Sequence, residues 1–402
     1  MQASDDADLA LVLGAARARL DEAGVLALRT ALARPGLDLH RAGALARHHG
    51  LAPLLIHHAL AHGRDLLPVE VSERWKAFAA QNALRNLHTV AQLHDLLGLL
   101  QRGGIEAVPY KGPALAALLY GNLALREYVD LDVLVQPADA ARACGLLAAE
   151  GFVPHFALGP ARLRAHVRLS YVQLFERPGH AAVELHWNVA PRFFSLPVDV
   201  AALWSRLRPL PLGGRPVLAP AAEDLMLLLA AHGAKDGWQR LEWVAAIAEV
   251  ARDPSLDWGR ALAEARRIGG LRLVRVALAL ARALCAAPLP GPVAAGLEDD
   301  AAARRIASDL EQRLRRADPF APAAEEGFLA RAALHLSLRE HLADRARYCV
   351  RVLFTTTADD WAAAPLPERL SFLHPAVRAA RLLGKYLLGR GRPPPQPQGP
   401  GG

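Results

Sequence analysis

The residues with the most chemistry in this 402-residue chain lie in the run Tyr128-Val129-Asp130-Leu131-Asp132-Val133-Leu134-Val135. Its alternation predicts a strand, in which positions two apart project from one face at about 6.6–6.8 Å. Asp130 and Asp132 then share a face while Leu131, Val133 and Val135 turn into a core. Two neighbouring carboxylates suit a hard, oxygen-seeking ion such as Mg²⁺. They also repel one another unless a cation or hydrogen bonds compensate, and a solvated sheet edge carries the same pattern at little cost. A third acid shifts the balance. Glu184 sits in Ala182-Val183-Glu184-Leu185-His186-Trp187, a second alternating run with Glu184 and His186 on one face and Val183, Leu185 and Trp187 on the other. Beside the first strand, it makes Asp130, Asp132 and Glu184 a candidate site for two metal ions about 3.5–4 Å apart.

Upstream, Lys111-Gly112-Pro113 joins a short strand candidate over 105–110 to a helix that runs through Tyr120. Such a turn aims backbone N–H groups and the positive end of the helix dipole at an anion. Lys111 either offsets phosphate charge there or snorkels from the strand end. Arg126, four residues before Asp130, either contacts phosphate or pairs on the surface. His186 could orient Glu184 or contact an acceptor, or be a strand histidine satisfied by a neighbour. His232 and Lys235, one helical turn apart, either line the cleft or form an ordinary polar helix face; Trp238 and Trp243 read as packing residues.

These residues depend on elements the periodicity outlines. From Ala7 to about Gly103 the apolar spacing is helical. Strand patterns occupy only the middle: 105–110, 128–135, and a hairpin of 171–176 and 181–189 around the turn 177–180, with a helix opened by Pro137 and closed near Gly151. Helical spacing returns at Pro220 and lasts to about Leu388, before GRGRPPPQPQGPGG, which reads as a flexible tail. The expected organisation is a helical region over 1–103, an α/β core over 104–219, a second helical region over 220–388 and a disordered tail over 389–402.

The run YKGPALAALLYGNLALREYVDLDVLV, with VELHW downstream, resembles the uncharacterised bacterial nucleotidyltransferase family of the polymerase-beta-like superfamily. The resemblance is specific over about 105–190 and extends to AHGAKDGWQRLEWVAAIAEV. It implies an α+β fold, with a small mixed nucleotidyltransferase-type sheet flanked by N-terminal and C-terminal all-helical regions. By the same resemblance, Gly112 is the turn glycine, Asp130 and Asp132 are the metal-binding pair, Glu184 is the third carboxylate, and Arg126 joins Lys111 among the nucleotide-binding residues. The implied cofactor is Mg²⁺ or Mn²⁺ with a nucleoside triphosphate as co-substrate. A nucleoside monophosphate would pass to an acceptor with release of pyrophosphate. Two positions depart from the pattern. Pro113 stands where the superfamily often has Ser, and Ala246 stands where an acid is expected in the helical segment.

The acceptor is open: a small molecule, a sugar or antibiotic-like alcohol, a peptide, a protein side chain or an RNA end. Other readings of the same fold are a catalytically degenerate nucleotide-binding or interaction protein and a γ-phosphotransferase. The net charge of +7 and pI of 9.7 come from arginines spread among acids, without a compact basic block, so nucleic-acid binding is not favoured. Cys144, Cys285 and Cys349 show no metal-ligand spacing and read as buried, reduced thiols. The acidic start MQASDDADLALVLGAAR lacks the basic region of a signal peptide, and no apolar run reaches bilayer length, so a cytoplasmic protein is expected.

Overall fold

In the computed structural model the described residues are 2–321, 327–357, 360, 361, 364, 366 and 368–387; the tail expected over 389–402 lies outside them. Four helices open the chain: α1 (Gln2–Gly14), α2 (Glu22–Leu32), α3 (Leu39–His48) and α4 (Ala52–His62). Asp21 and Asp38 cap α2 and α3 by accepting first-turn N–H groups, and Pro53 opens α4 where a missing N–H costs nothing. The 34-residue α5 (Val69–Arg102) follows. Its Val90, Leu93, Leu96 and Leu100 stripe packs into the core of the α/β region. Asn82 and Asn86, buried one turn apart on α5, hold the loop that leads to the acids. Asn82 Nδ2 donates to the carbonyls of Ala124 and Arg126 at 2.8 and 3.1 Å, and Asn86 Nδ2 to those of Leu123 and Arg126 at 2.7 and 2.8 Å.

The α/β region comprises β1 (Ala107–Pro109), α6 (Gly112–Tyr120), β2 (Asp130–Val135), α7 (Ala140–Ala149), β3 (Val153–Pro154), α8 (Pro160–Leu169), β4 (Val172–Glu176) and β5 (Ala182–His186). The sheet order is β1-β2-β5-β4-β3; β2 and β5 run parallel and the other pairs antiparallel. This is the small mixed sheet expected. Leu131, Val133, Val135, Val183, Leu185 and Trp187 bury one face with α5 and α7, as the alternation requires.

After α9 (Val200–Trp204), a second hairpin of β6 (Arg208–Leu212) and β7 (Arg215–Ala219) was not foreseen. Gly213 and Gly214, at φ 55° and 82°, make its two-residue reversal. Pro209, Pro211 and Pro216 obscured the strand pattern, because proline cannot donate to a ladder and is confined to sheet edges.

The C-terminal helices are α10 (Ala222–Lys235), α11 (Leu241–Arg252), α12 (Trp258–Arg267), α13 (Leu271–Cys285), α14 (Gly291–Asp299), α15 (Ala301–Arg315), α16 (Phe328–Ser337), α17 (Leu342–Phe354) and α18 (His374–Leu387). Helices α10, α11, α13 and α15 share one apolar cluster with α1–α4, so both helical regions close on the same core. Leu228 and Ala231 of α10 also pack with Tyr110 and with Leu134 of β2. That contact seats α10 over the acid-bearing face of the sheet. Cys144 and Cys285 are buried, but Cys349 is exposed, contrary to expectation. The inward face of α17 carries Tyr348 and Val352, four apart, and position 349 falls off that stripe. Among the described residues no helix is long and apolar enough to cross a membrane.

Candidate active site

The parallel register sets Asp132 opposite Glu184 and Leu134 opposite His186. Residues two apart share a face, so Asp130, Asp132, Glu184 and His186 look into one space. His186 Nε2 lies 3.1 Å from Asp132 Oδ1 and 3.1 Å from Glu184 Oε2. One ligand atom from each of Asp132, Glu184 and His186 falls within 4.8 Å of the others, the spacing of a donor set able to hold a metal ion. Asp130 shares the face without joining that close set.

Charge in this cluster is divided unequally. Lys111 Nζ donates to Asp132 Oδ1 at 2.7 Å. Burial alone would raise the Asp132 pKa, but the Lys111 ammonium and the His186 hydrogen bond outweigh it and hold the carboxyl well below its ordinary range. Asp130 feels the Lys111 charge only at a distance, too weakly to offset what raises it. Burial first, then the charges of Asp132 and Glu184, raise it from 3.8 to about 6. Burial disfavours the Lys111 ammonium too, yet Tyr110, Asp132 and Glu184 together keep its pKa well above the usual value.

The cluster opens into a cleft of about 530 Å³, whose lining includes α10 and α11 and, from the N-terminal region, Arg47 and Gly50. At one end Glu242 holds two guanidinium groups: Arg126 Nη2 reaches Glu242 Oε2 at 3.2 Å, and Arg240 Nη1 reaches Glu242 Oε1 at 3.2 Å. Gly50 is required beside them. Its φ is +73°, and a Cβ there would lie 2.5 Å from Glu242 Cδ. With its carbonyl taken by Asn82 and Asn86, Arg126 is fixed in place, and its Nη1 is buried without a hydrogen-bond partner. Gly112, at φ +49°, starts α6, and a Cβ there would approach the Asp130 carbonyl oxygen to 3.3 Å.

From α10, Lys235 Nζ lies 2.9 Å from Asp236 Oδ1 and 5.6 Å from the centre of the Tyr171 ring. His232 Nδ1 is 3.2 Å from Asp236 Oδ2, and its ring meets Trp243 edge-on at 5.0 Å. Burial, then the Lys111 and Lys235 charges, put the His232 pKa well below 6.5, so the imidazole is neutral at pH 7.

The structure thus gathers Lys111, Gly112, Arg126, Asp130, Asp132, Glu184, His186, His232 and Lys235 around one cleft. Trp238 is a packing residue, buried over Gly233, whereas Trp243 also lines the cleft. Sequence reasoning missed Glu242, Arg240, Asp236, Tyr110 and Tyr171. Glu242 had a signal: it lies one turn before Ala246, within the helical segment where an acid was sought. Ala246 faces the apolar core, and Glu242 faces the cleft.

Among known protein families, one described as an uncharacterised nucleotidyltransferase matches residues 35–286, more than half of the chain. The chain belongs to that family. The match to this nucleotidyltransferase family spans α3 to α13 and includes every cleft residue named above. Membership implies a nucleoside triphosphate substrate. No curated protein and no solved structure matches the chain.

Proposed function

We propose that the protein transfers the nucleoside monophosphate of a nucleoside triphosphate to an acceptor hydroxyl and releases pyrophosphate. The observation that carries this reading is the Asp132, Glu184 and His186 donor set, facing a cleft that Arg126 and Lys111 also line. Two carboxylates with an imidazole suit Mg²⁺ or, because of the nitrogen donor, Mn²⁺ better still. Asp132 and Glu184 would hold the ion, with Asp130 completing a second site, and the bound ion would supply charge stabilisation to the phosphates.

The chain's own groups do the rest. Lys111 keeps Asp132 ionised while no metal is bound, and its ammonium is close enough to the site to meet a phosphate oxygen once a cation takes its place on the carboxylate. Arg126 and Arg240 line the cleft where the phosphates would lie, and Glu242 holds both guanidinium groups in place. The Gly112 turn at the start of α6 faces the same phosphates. Glu184, half-exposed in the cleft, accepts the proton of the attacking hydroxyl, and α10 and α11 exclude water. A bond then forms from the acceptor oxygen to the α-phosphorus. The bond to the α–β bridging oxygen breaks, and pyrophosphate leaves with the electron pair.

The test is incubation with α-labelled and γ-labelled triphosphates, Mg²⁺ or Mn²⁺ and cell extract. Label from the α position in an acceptor, with labelled pyrophosphate from the γ position, is the expected result. A nucleoside diphosphate with γ-label in the acceptor indicates phosphoryl transfer instead, and binding without turnover indicates a degenerate site.

A further inference from the structure

Helices α17 and α18 carry apolar side chains on the side that faces solvent. On α18 the buried side is polar: Arg378 donates to Asp360 Oδ2 and to the Val352 carbonyl, both at 2.8 Å, and His374 is buried one turn before it. The outward positions Ala376, Ala380 and Leu383 are apolar and exposed. On α17, Tyr348 and Val352 face inward. Leu342, Ala346, Val350 and Phe354, spaced four residues apart, form an exposed apolar ladder along the opposite side. Between the two helices, the 3₁₀ turn Glu368–Leu373 leaves Phe372 71% exposed. Single exposed apolar residues are ordinary, but a helix that turns its charges inward and its leucine outward presents an apolar side to a further partner.

The charge around this surface says what that partner is. Arg347 and Arg351 follow the ladder along one edge of α17. Arg351 Nη1 reaches only uncharged groups among the described residues, the Arg192 carbonyl at 3.5 Å and Ser195 Oγ at 3.4 Å. Burial, then the charges of Arg192 and Arg347, lower the Arg351 pKa, so guanidinium groups crowd here while Asp344 pairs with Arg347. On α18, Arg378 and Arg381 share one carboxylate, Asp360. Over residues 342–402 nine arginines and lysines stand against four acids, so most of the chain's net charge of +7 falls in this stretch. A second copy of the chain suits such a surface poorly, because a two-fold contact would set the same arginines against themselves. Apolar side chains beside unmatched cations suit a bilayer of anionic lipid, which offers hydrocarbon and phosphate together.

We infer that α17 and α18 dock the protein on an anionic lipid surface. Leu342, Val350, Phe354, Phe372 and Leu383 enter the boundary between headgroups and acyl chains, and Arg192, Arg347 and Arg351 meet lipid phosphates. Among the described residues no helix is long and apolar enough to cross a bilayer, so the helices lie on the surface. Both helices fall outside residues 35–286, the part that matches the nucleotidyltransferase family, so docking is separate from the transfer proposed above.

The test is flotation of the full chain with vesicles of phosphatidylcholine alone and of an equal mixture of phosphatidylcholine and phosphatidylglycerol. Binding is expected to the mixture and not to phosphatidylcholine alone, and added salt should release it. Val350→Asp, at an exposed position and so compatible with the fold, should weaken binding at least about tenfold, the contribution of one apolar side chain leaving water. Arg192→Gln, also exposed, should weaken it about fivefold, the contribution of one basic group near an anionic surface. Both variants should melt at the wild-type temperature. Equal binding to the two vesicles, binding to neither, or undiminished binding of Val350→Asp overturns the inference. A chain that does not float but sediments as a dimer, and becomes monomeric in Val350→Asp, assigns the surface to a second copy and overturns it as well.

Discussion

Neutralising Asp130 should stabilise the metal-free protein. Its carboxyl is raised from 3.8 to about 6 by burial and by the neighbouring Asp132 and Glu184 charges. Below pH 3.8 the folded and unfolded chains both carry the protonated acid, and the site costs nothing. As pH rises through about 6 the unfolded chain has already released its proton, and the folded state loses the stability that the retained proton represented. The loss saturates above about pH 7 at roughly 3 kcal/mol, from the displacement between the two pKa values. Solvent at the half-buried carboxylate screens part of it, so the expected gain for Asp130→Asn is about 2–3 kcal/mol. Urea unfolding in chelator, followed by tryptophan fluorescence from pH 4 to pH 8, measures it. The curves for wild type and variant should meet near pH 4 and separate up to pH 7. Adding Mg²⁺ should close the gap, because the ion binds the folded wild type preferentially. A variant no more stable than wild type at pH 8 without metal would refute the reasoning and make Asp130 a structural hydrogen-bond acceptor.

Asp132→Asn and Glu184→Gln should each lower pyrophosphate release by at least about a hundredfold, measured by a coupled phosphate assay. Lys111→Met leaves Asp132 buried without its ammonium partner and should cost about 3–5 kcal/mol in metal-free melts, partly recovered by Mg²⁺ or Mn²⁺; no recovery would separate Lys111 from the metal site. Gly112→Ala forces a left-handed backbone on a residue with a Cβ 3.3 Å from the Asp130 carbonyl, so a loss of about 1–2 kcal/mol is expected, with a raised KM for the triphosphate.

Local periodicity determined much of this protein. Alternation placed Asp130 and Asp132 on one face and Glu184 with His186 on another, and each assignment needed only neighbours in the chain. The β4–β5 hairpin and the flanking helical regions were readable for the same reason, while the β6–β7 hairpin was hidden by its own prolines. Register and packing are different, because they join residues far apart in sequence and no local pattern encodes the pairing. The parallel β2–β5 register brought His186 into the ligand set beside Glu184. The turn into α6 put Lys111 on Asp132 rather than free for phosphate. The seating of α10 on Leu134 and Tyr110, and of α3 beside α11, closed the cleft and chose Glu242 over position 246 as its acid. What faces what along a strand was decided by sequence spacing; which faces meet was decided by how the helices and strands bury their apolar sides against one another.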